Sequence, residues 1–285
     1  MSRYAPRWEA LGRSLLQGRR PAVMGIVNVT PDSFSDGGQS ATLADALATA
    51  MRLVAEGADI LDVGGESSRP GAEPVGLVEE LRRVIPVVEA LAAGVSVPIS
   101  VDTTKAEVAR QALAVGAAIV NDITAMGDPA MAALVAESGA GVVLMHMAGT
   151  PRTMQIDPRY GDATAEIIEF LARRIEAAEA AGIPRSRIAI DPGIGFGKTS
   201  AHNLELLRNL GQFANLGCAL LVGTSRKGWL GSLTGRPIED RVTASVASAL
   251  AAVARGAQVV RVHDVRQTVD ALRVWGAVEG WDNRP

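Results

Sequence analysis

Many of the apolar runs in this sequence end in a polar side chain. An unpaired buried charge costs several kcal/mol, so such side chains must pair with one another or meet a polar ligand. The pattern recurs on nearly every apolar run, which favours a ligand site over a ring of mutual salt bridges. The residues concerned are Asn28, Asp62, Asp102, Asn121, Asp122, His146, Asp191, Arg226, Lys227, Arg261 and His263.

These residues include two chemical sets. Asp102, Asn121 and Asp191 carry oxygen acceptors suited to the N–H groups of a flat heterocycle, since a carboxylate can accept two parallel donors as it does from guanidinium. The second set supplies cationic donors, and in barrel enzymes a phosphate site often follows the last two strands. Its members are Arg69, Arg226, Lys227, Arg261 and His263. Together the sets predict a ligand with a guanidine-like ring edge and a phosphate group.

Two common kinds of site do not fit the spacing. The histidines are widely separated and lack zinc-site spacing, so a hard ion such as Mg²⁺, held with substrate phosphates, fits better. The segment DPGIGFGKTS from Asp191 fails the nucleotide-loop pattern because Pro192 stands where the first Gly is required. Phe34 and Phe196 lie in loops of this region, where a stacking role and simple loop packing remain equal alternatives.

The polar residues are positioned by apolar segments that alternate with helical ones. Such alternation, with runs of Ile, Val and Leu, is typical of parallel strands buried on both faces. Four strands are expected in VMGIVNVT from Val23, VPISVDT from Val97, IAIDPGIG from Ile188 and LLVGTSR from Leu220. The other four are expected in helix-to-strand joints, where a helix ends at a small pair containing Gly and an apolar run follows: EGADILDVGG from Glu56, VGAAIVND from Val115, SGAGVVLMH from Ser138 and RGAQVVRVHD from Arg255. The number and order of the eight strands predict a single-domain (β/α)8 TIM barrel, with an open doubly wound sheet as the alternative.

Helix starts and loop lengths complete this prediction. Thr104 to Glu107 has the spacing of a capping box, and Asp128 before Pro129 has that of an N-cap. The long loops rich in Gly, Pro and Ser follow strands rather than helices, which places the active site at the carboxyl ends of the strands. We divide the chain into an N-terminal lead-in segment, 1–22, and a barrel domain, 23–280.

Composition limits the partners. The chain has 285 residues, 48% of them hydrophobic, and a net charge of −3 without a basic run, so we expect no nucleic-acid partner. A single cysteine, Cys218, excludes an internal disulfide. The apolar stretches are too short to span a bilayer, and the start of the chain lacks an apolar signal core. We therefore expect a cytoplasmic protein with no membrane partner.

Several motifs taken together resemble the dihydropteroate synthase family. They fall on all eight proposed strands in order, from about Val23 to Val278, and are therefore far more specific than any single motif. The motifs are MGIVNVTPDSFSDGG from Met24, DVGGESSRPGA from Asp62, SVDTTK from Ser100, VNDIT from Val120, LMHM from Leu144, DPGIGFGKT from Asp191, GTSRK from Gly223 and RVHDV from Arg261.

The resemblance implies a transferase of folate biosynthesis that condenses 6-hydroxymethyl-7,8-dihydropterin pyrophosphate with p-aminobenzoate, giving 7,8-dihydropteroate and pyrophosphate. It also implies Mg²⁺ as cofactor and a homodimer, for which the helices at 243–254 and 265–278 offer a face. Our mechanistic hypothesis is that pyrophosphate leaves first and the arylamine then attacks the pterin cation. The alternatives are a pterin-dependent methyltransferase acting on a corrinoid protein and a non-catalytic pterin-binding paralogue.

The resemblance also implies a role for individual residues. It assigns the pterin to Asp102, Asn121, Met145, Asp191, Lys227 and Arg261. It assigns pyrophosphate to Asn28, Ser68, Arg69, Arg261 and His263, with Asn28 also near the metal. It assigns p-aminobenzoate to Phe34, Ser68, Pro70, Phe196 and Lys227, and catalysis to Asp36, Asp102, Lys227 and Arg261. Gly228 departs from the Ser often found after the SRK run in this family, which leaves the detail of the p-aminobenzoate pocket open.

Overall fold

The structure, a computed structural model, describes residues 7–16, 18, 20–29 and 38–281 and consists of a barrel of parallel strands surrounded by helices. The barrel closes in the strand order β10-β3-β4-β5-β6-β7-β8-β9. The strands are β1 Glu9–Ala10, β2 Arg13–Ser14, β3 Ala22–Asn28, β4 Ile60–Gly64, β5 Ile99–Asp102, β6 Ile119–Asp122, β7 Gly141–Met145, β8 Ile188–Asp191, β9 Ala219–Val222 and β10 Val259–Val262. The predicted single-domain (β/α)8 barrel is confirmed.

Helices follow the barrel strands along the chain and cover the outside of the barrel. They are α1 Gly38–Ala55, α2 Leu77–Gly94, α3 Ala106–Ala114, α4 Met131–Ser138, α5 Ala163–Ala180, α6 Ser200–Arg208, α7 Gly228–Thr234, α8 Val242–Val253 and α9 Val265–Val278. No helix in the described ranges combines the length and the apolar character needed to cross a bilayer.

The alternation of side chains along each strand explains where the polar residues point. Ile60, Ile119 and Val259 belong to the apolar cluster inside the barrel, whereas the next residues, such as Leu61 and Val120, pack in the cluster that contains the helices. Because side chains alternate with a period of two, the following residue on each strand faces inward again. Asp62, Asn121 and Arg261 occupy these positions. The polar residues are thus the layer directly above the apolar interior.

The short antiparallel hairpin of β1 and β2 covers the opposite, amino-terminal end of the barrel. Trp8 is completely buried and belongs to the same cluster as the interior residues of the strands. Its indole N–H donates to the carbonyl oxygen of Arg187 at 3.3 Å. The described part of the segment interpreted as a lead-in therefore shares one core with the barrel.

Both predicted helix caps are wrong. Helix α3 begins at Ala106 after Lys105, and its first N–H donates to Oδ2 of Asp128 at 2.9 Å rather than to a neighbouring side chain. Helix α4 begins at Met131 with Ala130 as its N-cap, while Oδ1 of Asp128 accepts from Ala130 N. Asp128 thus caps the neighbouring helix through a tertiary contact, which local spacing does not reveal.

Replacing Trp8 tests whether the hairpin belongs to the folding unit. Removing a fully buried large side chain leaves a cavity, so Trp8→Ala should lower the free energy of unfolding by about 3–5 kcal/mol. Leu11→Ala in the same hairpin is the matched control, because Leu11 is 53% exposed and should change stability by less than about 0.5 kcal/mol. Urea unfolding followed by circular dichroism measures both. Equal stabilities of the two variants would contradict a shared core.

Candidate active site

The register of neighbouring strands places the predicted acceptor residues side by side. Asp102 on β5 pairs with Asn121 on β6, and Met145 on β7 pairs with Asp191 on β8. These positions are the carboxyl ends of the strands, where barrel enzymes carry their catalytic residues. The structure therefore brings together four residues predicted to contact the pterin.

The guanidinium of Arg261 joins two carboxylates at this end of the barrel. Its Nε donates to Oδ2 of Asp62 at 2.6 Å, and its Nη2 donates to Oδ2 of Asp102 at 2.6 Å. Burial opposes the charged guanidinium, but Asp62 and Asp102 together raise the pKa of Arg261 above its ordinary value. Burial also raises the pKa of Asp102, an effect that Arg261 opposes. Arg261 is therefore a permanent cation between the two carboxyl groups.

Each acceptor residue uses one polar atom within the protein and keeps another for a ligand. The amide nitrogen of Asn121 donates to Oδ2 of Asp62 at 3.1 Å, which leaves the amide oxygen of Asn121 as an acceptor. Oδ1 of Asp191 accepts from Gly193 N at 2.7 Å, which leaves Oδ2. Arg261 binds Oδ2 of Asp102, which leaves Oδ1. The three remaining oxygens form an acceptor set at the carboxyl ends of β5, β6 and β8.

Burial also sets the charge of Asp191. It raises the pKa of this carboxyl to about 6, while the Gly193 amide and the charge of Lys227 oppose the rise. Asp191 is therefore mostly ionised at neutral pH and accepts hydrogen bonds through both oxygens.

Lys227 lies between the acceptor set and an apolar wall. Its Nζ lies 3.6 Å from the centre of the Phe196 ring, a cation–π contact. Phe196 in turn belongs to a small buried cluster with Met145. Burial and the charge of Arg261 lower the pKa of Lys227 to about 7, whereas Asp191 and Asp102 oppose the shift. The contacts bring together three of the predicted ligand-binding residues: Met145, Phe196 and Lys227.

Two further predicted residues lie at strand ends. Asn28 is the last residue of β3 and pairs with Gly64. His263 follows β10, and its Nδ1 lies 3.0 Å from Oγ of Ser225. Burial and the charge of Arg261 lower the pKa of His263 to about 3. Burial and the charge of Arg261 thus favour the neutral, hydrogen-bonding form of His263 over the cationic donor predicted from the sequence.

The loop residues are less closely joined to this set. Ser68, Arg69 and Pro70 lie in the loop between β4 and α2, on the same end of the barrel, and Arg69 and Pro70 are exposed. Within the described residues, no hydrogen bond links Ser68 or Arg69 to Arg261 or His263. The predicted Phe34 and Asp36 lie outside the residues that the structure describes.

Arg226 is not available for a phosphate, contrary to the interpretation of the SRK sequence. Its Nη2 and Nε donate to the two oxygens of Asp264 at 2.5 and 3.1 Å. Such a two-point contact between guanidinium and carboxylate is strong and directional. The structure thus separates the neighbouring cations, with Lys227 in the site and Arg226 in an ion pair beside it.

Sequence analysis assigned no role to two groups that shape the site. Asp62 is one of the polar residues that end the apolar runs, and it accepts hydrogen bonds from both Arg261 and Asn121. Lys198 is 3% exposed, and its Nζ lies 3.0 Å from Nδ1 of His146 and donates to the Phe196 carbonyl at 2.8 Å. Burial lowers the pKa of Lys198 to about 7. The GFGKTS segment contained this lysine, but no spacing rule links it to His146.

Known proteins share this sequence and fold. A family model described as pterin binding enzyme matches residues 24–263. The chain is 50% identical over 254 residues to dihydropteroate synthase of Escherichia coli (strain K12), covering 89% of this chain and 90% of that protein. Dihydropteroate synthase of Xanthomonas albilineans, solved with 4-aminobenzoic acid, gives a TM-score of 0.90 at 52% identity and covers 99% of this chain and 100% of that one.

A second structure of the Xanthomonas albilineans enzyme, in complex with 7,8-dihydropteroate, gives a TM-score of 0.87 at 50% identity, covering 98% of this chain and 100% of that one. The matches extend over nearly the whole barrel, including every strand end described above. With this extent and identity, the chain belongs to the dihydropteroate synthase family.

Proposed function

We propose that this chain condenses 6-hydroxymethyl-7,8-dihydropterin pyrophosphate with p-aminobenzoate to give 7,8-dihydropteroate and pyrophosphate. The observation that carries the proposal is the set of three unused oxygens, on Asp102, Asn121 and Asp191, beside the cation of Arg261. Acceptors on one side and a cationic donor on the other match a substrate with an amino-pyrimidine edge and an anionic leaving group.

The pterin lies, in this proposal, against the strand ends of β5 to β8. The amino group and ring N–H of the pterin donate to the three unused oxygens, while Met145 supplies an apolar wall. Lys227, whose pKa burial lowers to about 7, donates from the other side of the ring. Except for Lys227, which lies in the loop between β9 and α7, these residues lie on barrel strands, so most of the pterin pocket is built on the barrel itself.

The pyrophosphate lies against Arg261, His263 and Asn28, with Ser68 and Arg69 contributed by the loop after β4. Within the described residues, no group of three His, Cys, Asp or Glu side chains could hold a metal ion. The oxygen of Asn28 fits instead an Mg²⁺ that is held mainly by substrate phosphates. Bound there, Mg²⁺ would neutralise negative charge on the pyrophosphate.

The chemistry follows from these charges. The bond between the pterin methylene carbon and the bridging oxygen breaks, and its electron pair leaves with the pyrophosphate. Arg261 stabilises the leaving charge, and the carboxylate of Asp102 stabilises the cation left on the methylene carbon. The amine nitrogen of p-aminobenzoate then forms the new C–N bond and loses one proton. The weakly basic arylamine attacks without a strong general base.

The p-aminobenzoate is placed between Phe196, the stem of Lys227 and the loop of Ser68 and Pro70. Phe34 contributes to this pocket and Asp36 to catalysis in the proposal. A Cβ atom at Gly228 would meet nothing within 4 Å, so packing does not require glycine there. The similar Xanthomonas albilineans enzyme was solved with 4-aminobenzoic acid, which supports a pocket for this substrate.

The two rival functions have weaker support. A methyltransferase acting on a corrinoid protein and a non-catalytic paralogue would not need both Arg261 and the acceptor set. The relatives at 50% identity are synthases.

We further propose a cytoplasmic homodimer in which α8 and α9 contribute the contact. Val274 and Val278 of α9 are 68% and 80% exposed, which supports this face.

One assay tests the function directly. The purified chain with Mg²⁺ should release pyrophosphate only when both the pterin pyrophosphate and p-aminobenzoate are present, and 7,8-dihydropteroate should form in equal amount. Coupled detection of pyrophosphate and chromatography of the pterin product measure the two quantities. Methyl transfer to a cobalamin protein, or pterin binding without turnover, would assign one of the rival functions instead.

Replacing Asp191 tests the pterin pocket. In Asp191→Asn, the amide oxygen keeps the bond from Gly193 N, so the amide nitrogen faces the ring donors. Hydrogen bonds to charged groups contribute about 1.5–3 kcal/mol, so binding of 7,8-dihydropteroate should weaken roughly 10- to 150-fold. Isothermal titration calorimetry measures this. Asp162→Asn at the N-cap of α5 is the control and should bind normally, since Asn caps helices as well as Asp does.

The pH dependence of an Arg261 variant tests the ion pair between Arg261 and Asp102. In Arg261→Met, the neighbouring positive charge that lowers the pKa of Asp102 is lost, so this pKa should rise further. A smaller fraction of Asp102 is then ionised at neutral pH. At neutral pH, kcat/KM of the variant should therefore be lower than that of the wild type. As the pH increases, kcat/KM of the variant should rise over a range in which the wild-type value is constant.

The control for this variant is Arg187→Met at the opposite end of the barrel, where the guanidinium donates to backbone carbonyls. It loses a half-buried guanidinium but no contact with the site. Its pH profile should match the wild type. Parallel profiles for wild type and Arg261→Met would exclude the proposed role of Asp102. Circular dichroism at each pH confirms folding, because breaking a buried ion pair costs about 3–5 kcal/mol.

A further inference from the structure

Ser225 makes two contacts with His263, one with the backbone and one with the ring. The backbone N–H of His263 donates to Oγ of Ser225 at 3.2 Å, and Oγ lies 3.0 Å from ring Nδ1 of the same histidine. Ser225 is 5% exposed, so its hydroxyl has little access to water. One buried hydroxyl thus serves both the main chain and the side chain of one proposed pyrophosphate residue.

The position of this hydroxyl is fixed by helix α8 rather than by His263. Ser248 on α8 donates to the Thr224 hydroxyl at 2.8 Å, and Ser245 on α8 accepts from Arg226 N at 2.9 Å. The residues on both sides of Ser225 are therefore tied to the helix. The segment that carries Ser225 is thus held by contacts that do not involve His263.

The hydrogen bonds of Ser225 indicate which ring nitrogen of His263 carries the hydrogen. The Ser225 oxygen already accepts from the backbone N–H, and its own proton needs an acceptor. Within the described residues, the only hydrogen-bond acceptor recorded for it is Nδ1 of His263. If Nδ1 carried the proton instead, the buried hydroxyl would be left with an unused donor, which costs free energy. Nδ1 is therefore the acceptor, and Nε2 carries the hydrogen.

The charges around the ring favour the neutral form with this tautomer. Arg261 precedes it on β10, Arg226 and Lys227 follow β9, and Asp264 is the next residue along the chain. Asp264 is bound to Arg226, so its negative charge is largely compensated. Burial and the three cations keep the ring unprotonated, and a neutral imidazole presents one donor only.

We propose that Ser225 is a positioning residue that holds His263 as the Nε2–H tautomer, so that this N–H donates to an oxygen of the pyrophosphate group. The proposal rests on the proposed function for the identity of the ligand. The tautomer itself rests only on the contacts of Ser225. A ring with its lone pair at Nε2 would turn an acceptor toward an anion and repel it.

Nuclear magnetic resonance of histidine tests the tautomer without turnover. The chain has three histidines, so a ¹⁵N-histidine-labelled sample gives few signals, and those missing in His263→Gln identify His263. Wild type should show a protonated Nε2 and an unprotonated Nδ1. Ser225→Ala should change the His263 nitrogen signals, whereas Ser232→Ala on α7, which removes an exposed hydroxyl that donates only to the Gly228 carbonyl, should leave them unchanged.

The affinity of the chain for inorganic pyrophosphate in the presence of Mg²⁺, measured by calorimetry, tests whether His263 donates to the pyrophosphate group. Ser225→Ala should weaken binding roughly two- to tenfold, as loss of one hydrogen bond does, and Ser225→Thr, which keeps the hydroxyl, should restore it. In steady-state assays, the KM for the pterin pyrophosphate should rise while that for p-aminobenzoate stays constant.

Each measurement has an outcome that overturns the proposal. A protonated Nδ1 in the wild type excludes the assigned tautomer. Unchanged pyrophosphate affinity in Ser225→Ala excludes its role in binding. Failure of the proposed function would show as absence of dihydropteroate synthesis by the wild type, and it is distinct because neither the tautomer nor pyrophosphate binding requires turnover.

Discussion

The positive charge of the Arg261 guanidinium determines the electrostatics of the site at the carboxyl ends of the barrel strands. Asp62 and Asp102 are carboxylates on adjacent strands, and burial together with the negative charge of Asp62 raises the pKa of Asp102. Arg261 donates to one oxygen of each at 2.6 Å. Because Arg261 occupies one oxygen of Asp102 and Asp62 binds the amide nitrogen of Asn121, Asp102 and Asn121 present only acceptor oxygens to a ligand. One cation thus sets both the charge and the hydrogen-bonding character of the site.

The same cation divides the site into two parts with opposite preferences. Toward β5 to β8, oxygens accept from a neutral ring edge, and toward β10 and β3, donors face an anion. Lys227 lies near the boundary, where Arg261 lowers its pKa and Asp191 raises it. A substrate that combines donors at one end with negative charge at the other fits this division, whereas a purely anionic or purely neutral ligand would use only half of it.

The strands and their polar ends were predictable from sequence because strand geometry has a fixed period. Once Ile60, Ile119 and Val259 face the interior, Asp62, Asn121 and Arg261 must do so as well. The sequence did not reveal which of the two arginines, Arg226 or Arg261, remains available for a ligand. Arg261 lies on β10, whereas Arg226 lies in the loop after β9 with a φ of 57°, and its side chain binds Asp264. The predicted helix caps were wrong for the same reason, because Asp128 caps α3, a helix that precedes it in the sequence. Partner choice depends on three-dimensional proximity, which spacing does not encode.

The parts of the site differ in how firmly the structure holds them. Gly193, with a φ of 67°, lies so close to β7 that a Cβ atom there would come within 1.9 Å of the His146 carbonyl oxygen. The buried ammonium of Lys198 closes the same turn by binding His146 and the Phe196 carbonyl. Asp191 and Phe196 are therefore fixed at either end of one clamped segment. The loop of Ser68 and Pro70 is in contrast largely exposed. Substitutions there can alter recognition of the second substrate while the ring-binding strands stay intact, because the two depend on different contacts.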